Sequence, residues 1–131
     1  MKSAVLYGPN NLKIEERQMP QLLPGSIIVK VKACAICGSD LRILREGSKR
    51  IIEPRVLGHE ISGEVVEVGR DVKDFKNYDR ISTGADLPCG ACKDCKEGKP
   101  NSCVINYAIG YQFDGGFSEY IIFNEFMLKG G

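Results

Sequence analysis

Four cysteines stand close together at Cys89, Cys92, Cys95 and Cys103, with two, two and seven residues between them. Thiols at this spacing can converge on one ion. Zinc takes four soft ligands in a tetrahedron at about 2.3 Å, and each Cys-x2-Cys turn delivers two of them. Gly90, Gly98 and Pro100 supply the bends that such a knot requires. Four thiolates leave no position for water, so a zinc held this way is structural. Two rivals use the same atoms. An iron–sulfur cluster also takes Cys-x2-Cys-x2-Cys, but the bacterial ferredoxin run places its fourth Cys after about three residues and follows it with Pro. Here the gap is seven and Val104 follows Cys103. Disulfides need an oxidising compartment, and Met1-Lys2-Ser3-Ala4-Val5 lacks the apolar core of a secretion signal. Zinc is the expectation, with the cluster and the disulfides as the alternatives.

A second group of ligand types is Cys37, His59 and Glu60. They lie in Cys37-Gly38-Ser39-Asp40 and Gly58-His59-Glu60-Ile61-Ser62-Gly63. Taken singly, each has a plain explanation: a small buried thiol, a satisfied histidine, a solvated charge. Together, beside a structural zinc lobe, they read as part of a catalytic zinc site. Such a site uses three protein ligands and leaves one position for water or substrate. His59 is the single histidine of the chain, which excludes paired-histidine metalloprotease chemistry and two-histidine zinc fingers. Cys34, three residues before Cys37, reads as a buried small side chain that faces away from the site unless the strand bends.

The elements that must position these residues are short strands. Residues 3–7 and 12–16 flank a turn at Gly8-Pro9-Asn10-Asn11. Ile27 to Ala33 alternates as a strand and ends just before Cys37. Ser39 or Asp40 is expected to cap a short helix through Leu41, Ile43 and Leu44 that Gly47 ends. The basic residues 48–55 read as loop. Strands follow at Glu60 to Val68, with Gly63 marking a bulge or close approach, at Asp79 to Thr83, and at Phe117 to Phe123. No capping element is expected before Gly130-Gly131. Many short strands with Gly and Pro between them predict a mainly β barrel with short helices, interrupted by the cysteine lobe 89–103.

Composition narrows the functions. The 131 residues suffice for one domain. Lys plus Arg is 18 and Asp plus Glu 17, a net charge of +1, which gives no general reason to bind nucleic acid or an anionic membrane. No apolar run approaches the roughly 18 residues of a membrane span. Six cysteines without an export signal predict reduced thiols and a cytoplasmic protein. There is no Gly-x-Gly-x-x-Gly after a strand, hence no dinucleotide fingerprint.

These motifs, in this order, resemble the N-terminal catalytic domain of the medium-chain, zinc-dependent alcohol and polyol dehydrogenases, of the sorbitol and threonine dehydrogenase kind. The marks are Cys37-Gly38-Ser39-Asp40, Gly58-His59-Glu60-x-x-Gly63, Glu64-Val65-Val66-Glu67-Val68-Gly69, Asp79-Arg80, the four-cysteine lobe and Gly115-Gly116-Phe117-Ser118-Glu119-Tyr120. The resemblance implies a GroES-like β-barrel over 1–131. It implies that Cys37 and His59 bind the catalytic zinc and that Glu60 sits beside it and enters its shell during turnover. Ser39 would hand the substrate's proton away, and Asp40 would orient His59 from behind. Cys89, Cys92, Cys95 and Cys103 would hold the structural zinc. The cofactor implied is NAD(P), and the substrate a small alcohol or polyol. Zinc lowers the pKa of water from about 16 to about 7; the same shift on an alcohol is worth about 12 kcal/mol and makes it a hydride donor.

The chain departs from that pattern in three ways. Where the family often carries a relay histidine two residues after the aspartate, this chain has Arg42. The family's third catalytic-zinc ligand falls further along than Gly131, and so does the nucleotide-binding domain. A piece of a longer enzyme, inactive by itself and prone to homo-oligomerise through uncovered apolar surface, is the expectation. The alternative is a stand-alone GroES-like module for binding or assembly. A zinc-ribbon nucleic-acid binder is disfavoured by the neutral charge.

Overall fold

The structure, a computed structural model, describes residues 1–129; the Gly130-Gly131 end lies outside the described residues. Strand β1 (Lys2–Leu6) pairs antiparallel with β2 (Leu12–Glu16) and with the short β4 (Arg55–Val56). A second sheet has the order β6-β5-β3-β9, from β3 (Ile27–Ala35), β5 (Glu60–Val68), β6 (Arg80–Thr83) and β9 (Tyr120–Phe123), all antiparallel. A two-stranded ribbon, β7 (Asp86–Leu87) with β8 (Tyr107–Ala108), closes the base of the cysteine lobe. The two larger sheets are stitched together by residues 117–119. Ala4 N donates to Phe117 O at 2.8 Å, Glu119 N to Lys2 O at 3.1 Å, and Val31 N to Glu119 O at 2.9 Å. The same backbone therefore joins β1 on one side and β3 on the other, as a barrel requires.

Two apolar clusters fill the fold. Ile27, Val29, Ile61, Val65, Ile109, Ile121 and Phe123 pack inside the larger sheet. Leu6, Ile43, Ile51, Leu57, Ala108 and Tyr111 form the other, and Ile43 fixes α1 (Gly38–Glu46) onto the barrel. Each fully buried aliphatic side chain contributes about 1.5–3 kcal/mol relative to exposure. Ile27, Ile28 and Val29 are all buried, because a register shift between Ile28 and Val29 breaks the simple alternation of β3. A second shift falls between Val31 and Ala33, opposite Gly63. A Cβ on Gly63 would lie 2.5 Å from Val29 Cγ1 and 2.7 Å from Lys30 O, so the close approach expected from an interior glycine is present.

Several local expectations need correction. The N-cap of α1 is Cys37; Asp40 sits one turn in and reaches back to accept from Cys37 N at 2.9 Å. Ser39 and Asp40 carry the motif's chemistry and so resembled a cap. β3 runs on to Ala35, two residues past the expected end. The last strand begins at Tyr120 rather than Phe117, because residues 115–119 are spent on contacts to 56–58 and to β1 and β3. A short helix α3 (Glu125–Lys129) follows where no capping element was expected. Inside the lobe lie one helical turn, α2 (Lys93–Lys96), and a 3-10 turn at Pro100–Ser102. Among the described residues no helix is long and apolar enough to cross a membrane.

Candidate metal centres

The first centre follows from the pairing of β3 with β5. The strands are antiparallel, and Ala35 is registered against Glu60. The exit of β3 therefore meets the entry of β5. Cys37, just past one, lands beside His59 and Glu60 at the start of the other, and one ligand atom from each lies within 4.8 Å of the rest. Residues 22 apart in sequence are joined by strand register.

Asp40 ties the two strand ends together. It is 4% exposed. Oδ2 accepts from Cys37 N at 2.9 Å and Oδ1 accepts from Gly58 N at 3.3 Å. The same Oδ1 lies 3.5 Å from His59 Nδ1. His59 is 5% exposed, and its Nδ1 has no hydrogen-bond partner among the described residues; the carboxylate faces it without forming a bond. The other ring nitrogen, Nε2, is 3.3 Å from Ser39 Oγ. Gly58 has φ +90, and a Cβ there would lie 2.7 Å from Phe117 Cδ1 and 2.8 Å from Cys34 Sγ. Only glycine can present its N–H to Asp40 in so tight a crossing. Glu60 is exposed, so its carboxylate borders the open side of the cluster.

This donor set fits a divalent cation with an open position. A thiol, an imidazole and a carboxylate converge; Nδ1 is an orphan aimed at a carboxylate, which leaves Nε2 for the ion. Cys34 is half-buried and does not join the group, even though β3 bends. Burial pushes its thiol up to about 11.

The second centre is the lobe. Cys89, Cys92, Cys95 and Cys103 place their sulfurs within 4.8 Å of one another, and Cys89 Sγ is 4.0 Å from Cys95 Sγ. A tetrahedron with arms of about 2.3 Å has edges of about 3.8 Å, so the cage has nearly the size for zinc. All six cysteines are free thiols. Backbone N–H groups point at the sulfurs: Cys92 N donates to Cys89 Sγ and Cys89 N to Cys103 Sγ, each at 3.3 Å. N–H groups of Asn106 and Cys89 pull Cys103 down to about 6. Backbone bonds, led by the one at Cys95, lower Cys92. Desolvation, reinforced by the shared bond with Cys92, pushes Cys95 up to about 12. Four thiols this close cannot all ionise alone; a cation in their midst removes the conflict.

Comparison with known proteins agrees with this architecture. The model of the alcohol dehydrogenase GroES-like domain matches residues 23–129. The chain belongs to that family. The GroES-like domain is 38% identical over 125 residues to sorbitol dehydrogenase of Bacillus subtilis, covering 92% of this chain and 35% of that protein. It superposes with a TM-score of 0.86 and 33% identity on galactitol-1-phosphate dehydrogenase of Escherichia coli, covering 95% of this chain and 36% of that one. A structure of an Escherichia coli alcohol dehydrogenase, rspB, complexed with NADH gives a TM-score of 0.84 at 41% identity, with the same coverage. The chain thus spans about a third of the length of the relatives it matches.

Sequence reasoning missed one neighbour of the first centre. Tyr111 is 9% exposed, its ring 6.2 Å from that of His59, and the Arg50 guanidinium lies over the Tyr111 ring, 4.9 Å from its centroid. The basic run 48–55 was visible, but nothing local ties it to residue 111. Arg42, in the place of the family's relay histidine, is exposed on α1.

Proposed function

We propose that this chain is the catalytic barrel of a zinc-dependent NAD(P) alcohol or polyol dehydrogenase, acting with a nucleotide-binding domain and inactive without one. The observation that supports this best is the meeting of Cys37, His59 and Glu60 at the β3–β5 register. Cys37, His59 Nε2 and Glu60 would hold the catalytic zinc, and Cys89, Cys92, Cys95 and Cys103 the structural one. Bound zinc supplies a Lewis acid that draws a substrate hydroxyl toward ionisation.

The chain's own residues do the rest. Asp40 holds the Cys37 and Gly58 backbones together, so thiol and imidazole face one point. Its Oδ1 also lies 3.5 Å from Nδ1 of His59, a negative charge that favours the proton on that nitrogen and leaves Nε2 with its lone pair toward the ion. Ser39 Oγ, 3.3 Å from Nε2, stands where a hydroxyl proton leaves and can pass it outward. With Arg42 exposed in place of an imidazole, that proton goes from Ser39 to solvent directly. Hydride transfer further needs a nicotinamide held about 3–3.5 Å from the carbinol carbon, and the sequence carries no dinucleotide loop for it.

The test is NAD(P)H formation from a panel of alcohols and polyols by the zinc-loaded chain, alone and joined to a nucleotide-binding domain of a matched relative. Turnover in the joined form, abolished by Cys37→Ala and absent from the chain alone, is expected. Turnover by the chain alone, or turnover that survives Cys37→Ala, overturns the proposal.

A further inference from the structure

Arg50 is a cation that neither metal centre uses. Its guanidinium carbon lies 4.9 Å from the ring centroid of Tyr111, and the Tyr111 ring is 6.2 Å from that of His59. A single aromatic side chain therefore separates this charge from the first metal centre. Its place is fixed on several sides. Arg50 N donates to Ser48 Oγ at 3.2 Å, and Arg50 O accepts from Gln112 Nε2 at 3.1 Å. The same Gln112 accepts from Ala108 N at 2.9 Å, so the loop carrying Arg50 and the turn carrying Tyr111 form one unit. A guanidinium N–H donates to the Asn106 carbonyl.

The charge is left unneutralised. Arg17 and Arg55 both pair with Asp114, while Arg50 has no carboxylate partner among the described residues. Lys49 beside it is also exposed. A guanidinium has five N–H donors in a planar fork, and a carbonyl takes one. The remainder suit two-point recognition of a phosphate or carboxylate, which a stacked and pinned arginine offers with little further ordering.

With the first centre acting on an alcohol, on which this step depends, we propose that Arg50 is a substrate-specificity residue: the alcohol bears a phosphate or carboxylate group, and Arg50 binds that group beside Tyr111.

The test is calorimetric binding of sorbitol, sorbitol 6-phosphate, gluconate and inorganic phosphate to the metal-loaded chain. The Arg50 Nε–H resonance is followed in parallel. At least one anionic polyol should bind about tenfold or more tightly than sorbitol and shift that resonance. Arg50→Gln should remove the preference and leave sorbitol binding unchanged; Arg50→Lys should retain part of it. A preference for the phosphate ester alone identifies a phosphorylated alcohol, and one for gluconate alone a hydroxy acid; both uphold the proposal. Equal binding of sorbitol and both anions overturns it, as does a preference that survives Arg50→Gln. Inorganic phosphate binding as tightly as the ester also overturns it, since the site would then recognise an ion rather than a substrate. Failure of the metal reading is seen separately, as the absence from the parent chain of any Co(II) absorption that Cys37→Ala removes.

Discussion

Replacing Asp40 with Ala leaves two buried backbone donors facing a methyl group. The carboxylate accepts from Cys37 N at 2.9 Å and from Gly58 N at 3.3 Å, at a residue 4% exposed. A buried donor left unsatisfied costs about 1–3 kcal/mol. Two of them place Asp40→Ala at about 2–6 kcal/mol, toward the lower end because the Gly58 bond is long. Asp40→Asn keeps one acceptor oxygen and turns an NH2 toward the other donor, so about 1–3 kcal/mol is expected. Domains of this kind have about 5–15 kcal/mol in all, so both variants should fold. Urea unfolding at fixed zinc concentration measures the difference, because bound metal itself shifts apparent stability. The same substitution should weaken the Cys37–His59–Glu60 metal site by about 10–100-fold through loss of the carboxylate behind the imidazole. Stability within about 0.5 kcal/mol of the parent, with metal affinity unchanged, would refute the reasoning: Asp40 would then not be what ties the strand ends.

Other outcomes follow from the same geometry. Cys95→Ser should disorder the lobe before the barrel, because α2 and the 3-10 turn are too short to persist without their metal; amide exchange confined to 89–103 should rise, and unchanged protection there would show that the metal is not holding it. Gly63→Ala drives a Cβ to 2.5 Å from Val29 Cγ1, an overpacking of about 1–3 kcal/mol, and should lower Tm by roughly 3–12 °C; an unshifted Tm would mean that β3 yields freely. Cys34, pushed from the ordinary 9.0 to about 11 by burial, should carry about a hundredth of the usual thiolate at pH 8. It should alkylate about a hundredfold more slowly than a free thiol, and rapid labelling would show that it is open to solvent.

The parts legible in the sequence were those with short-range signals. The lobe could be read because its ligands lie within one local stretch and turn residues separate them. The Gly58-His59-Glu60 run and Cys37-Gly38-Ser39-Asp40 could each be read, but their meeting depends on β3 pairing β5 in a register set by two irregularities. Alternation alone cannot locate a bulge, although Gly63 marked one of the two. Helix α1 was placed correctly at its Gly47 end, where a glycine with φ 75 stops it. Its start was misplaced because Cys37 is not a usual cap, and Asp40 serves the site and the helix together. The link from Arg50 through Tyr111 to His59 was invisible for the same reason: it joins three segments that only the closed barrel brings together.

The central claim is that the barrel holds two different metal sites, one closed and one open. Co(II) titration of the metal-free chain, followed by electronic absorption, tests it most directly. Two equivalents should bind. The first should show the intense sulfur charge-transfer bands of a four-thiolate cage and vanish with Cys95→Ser. The second should bind more weakly, with a single thiolate, and vanish with Cys37→Ala while the first remains. One equivalent at any Co(II) concentration, or a second that is indifferent to Cys37, would contradict the account.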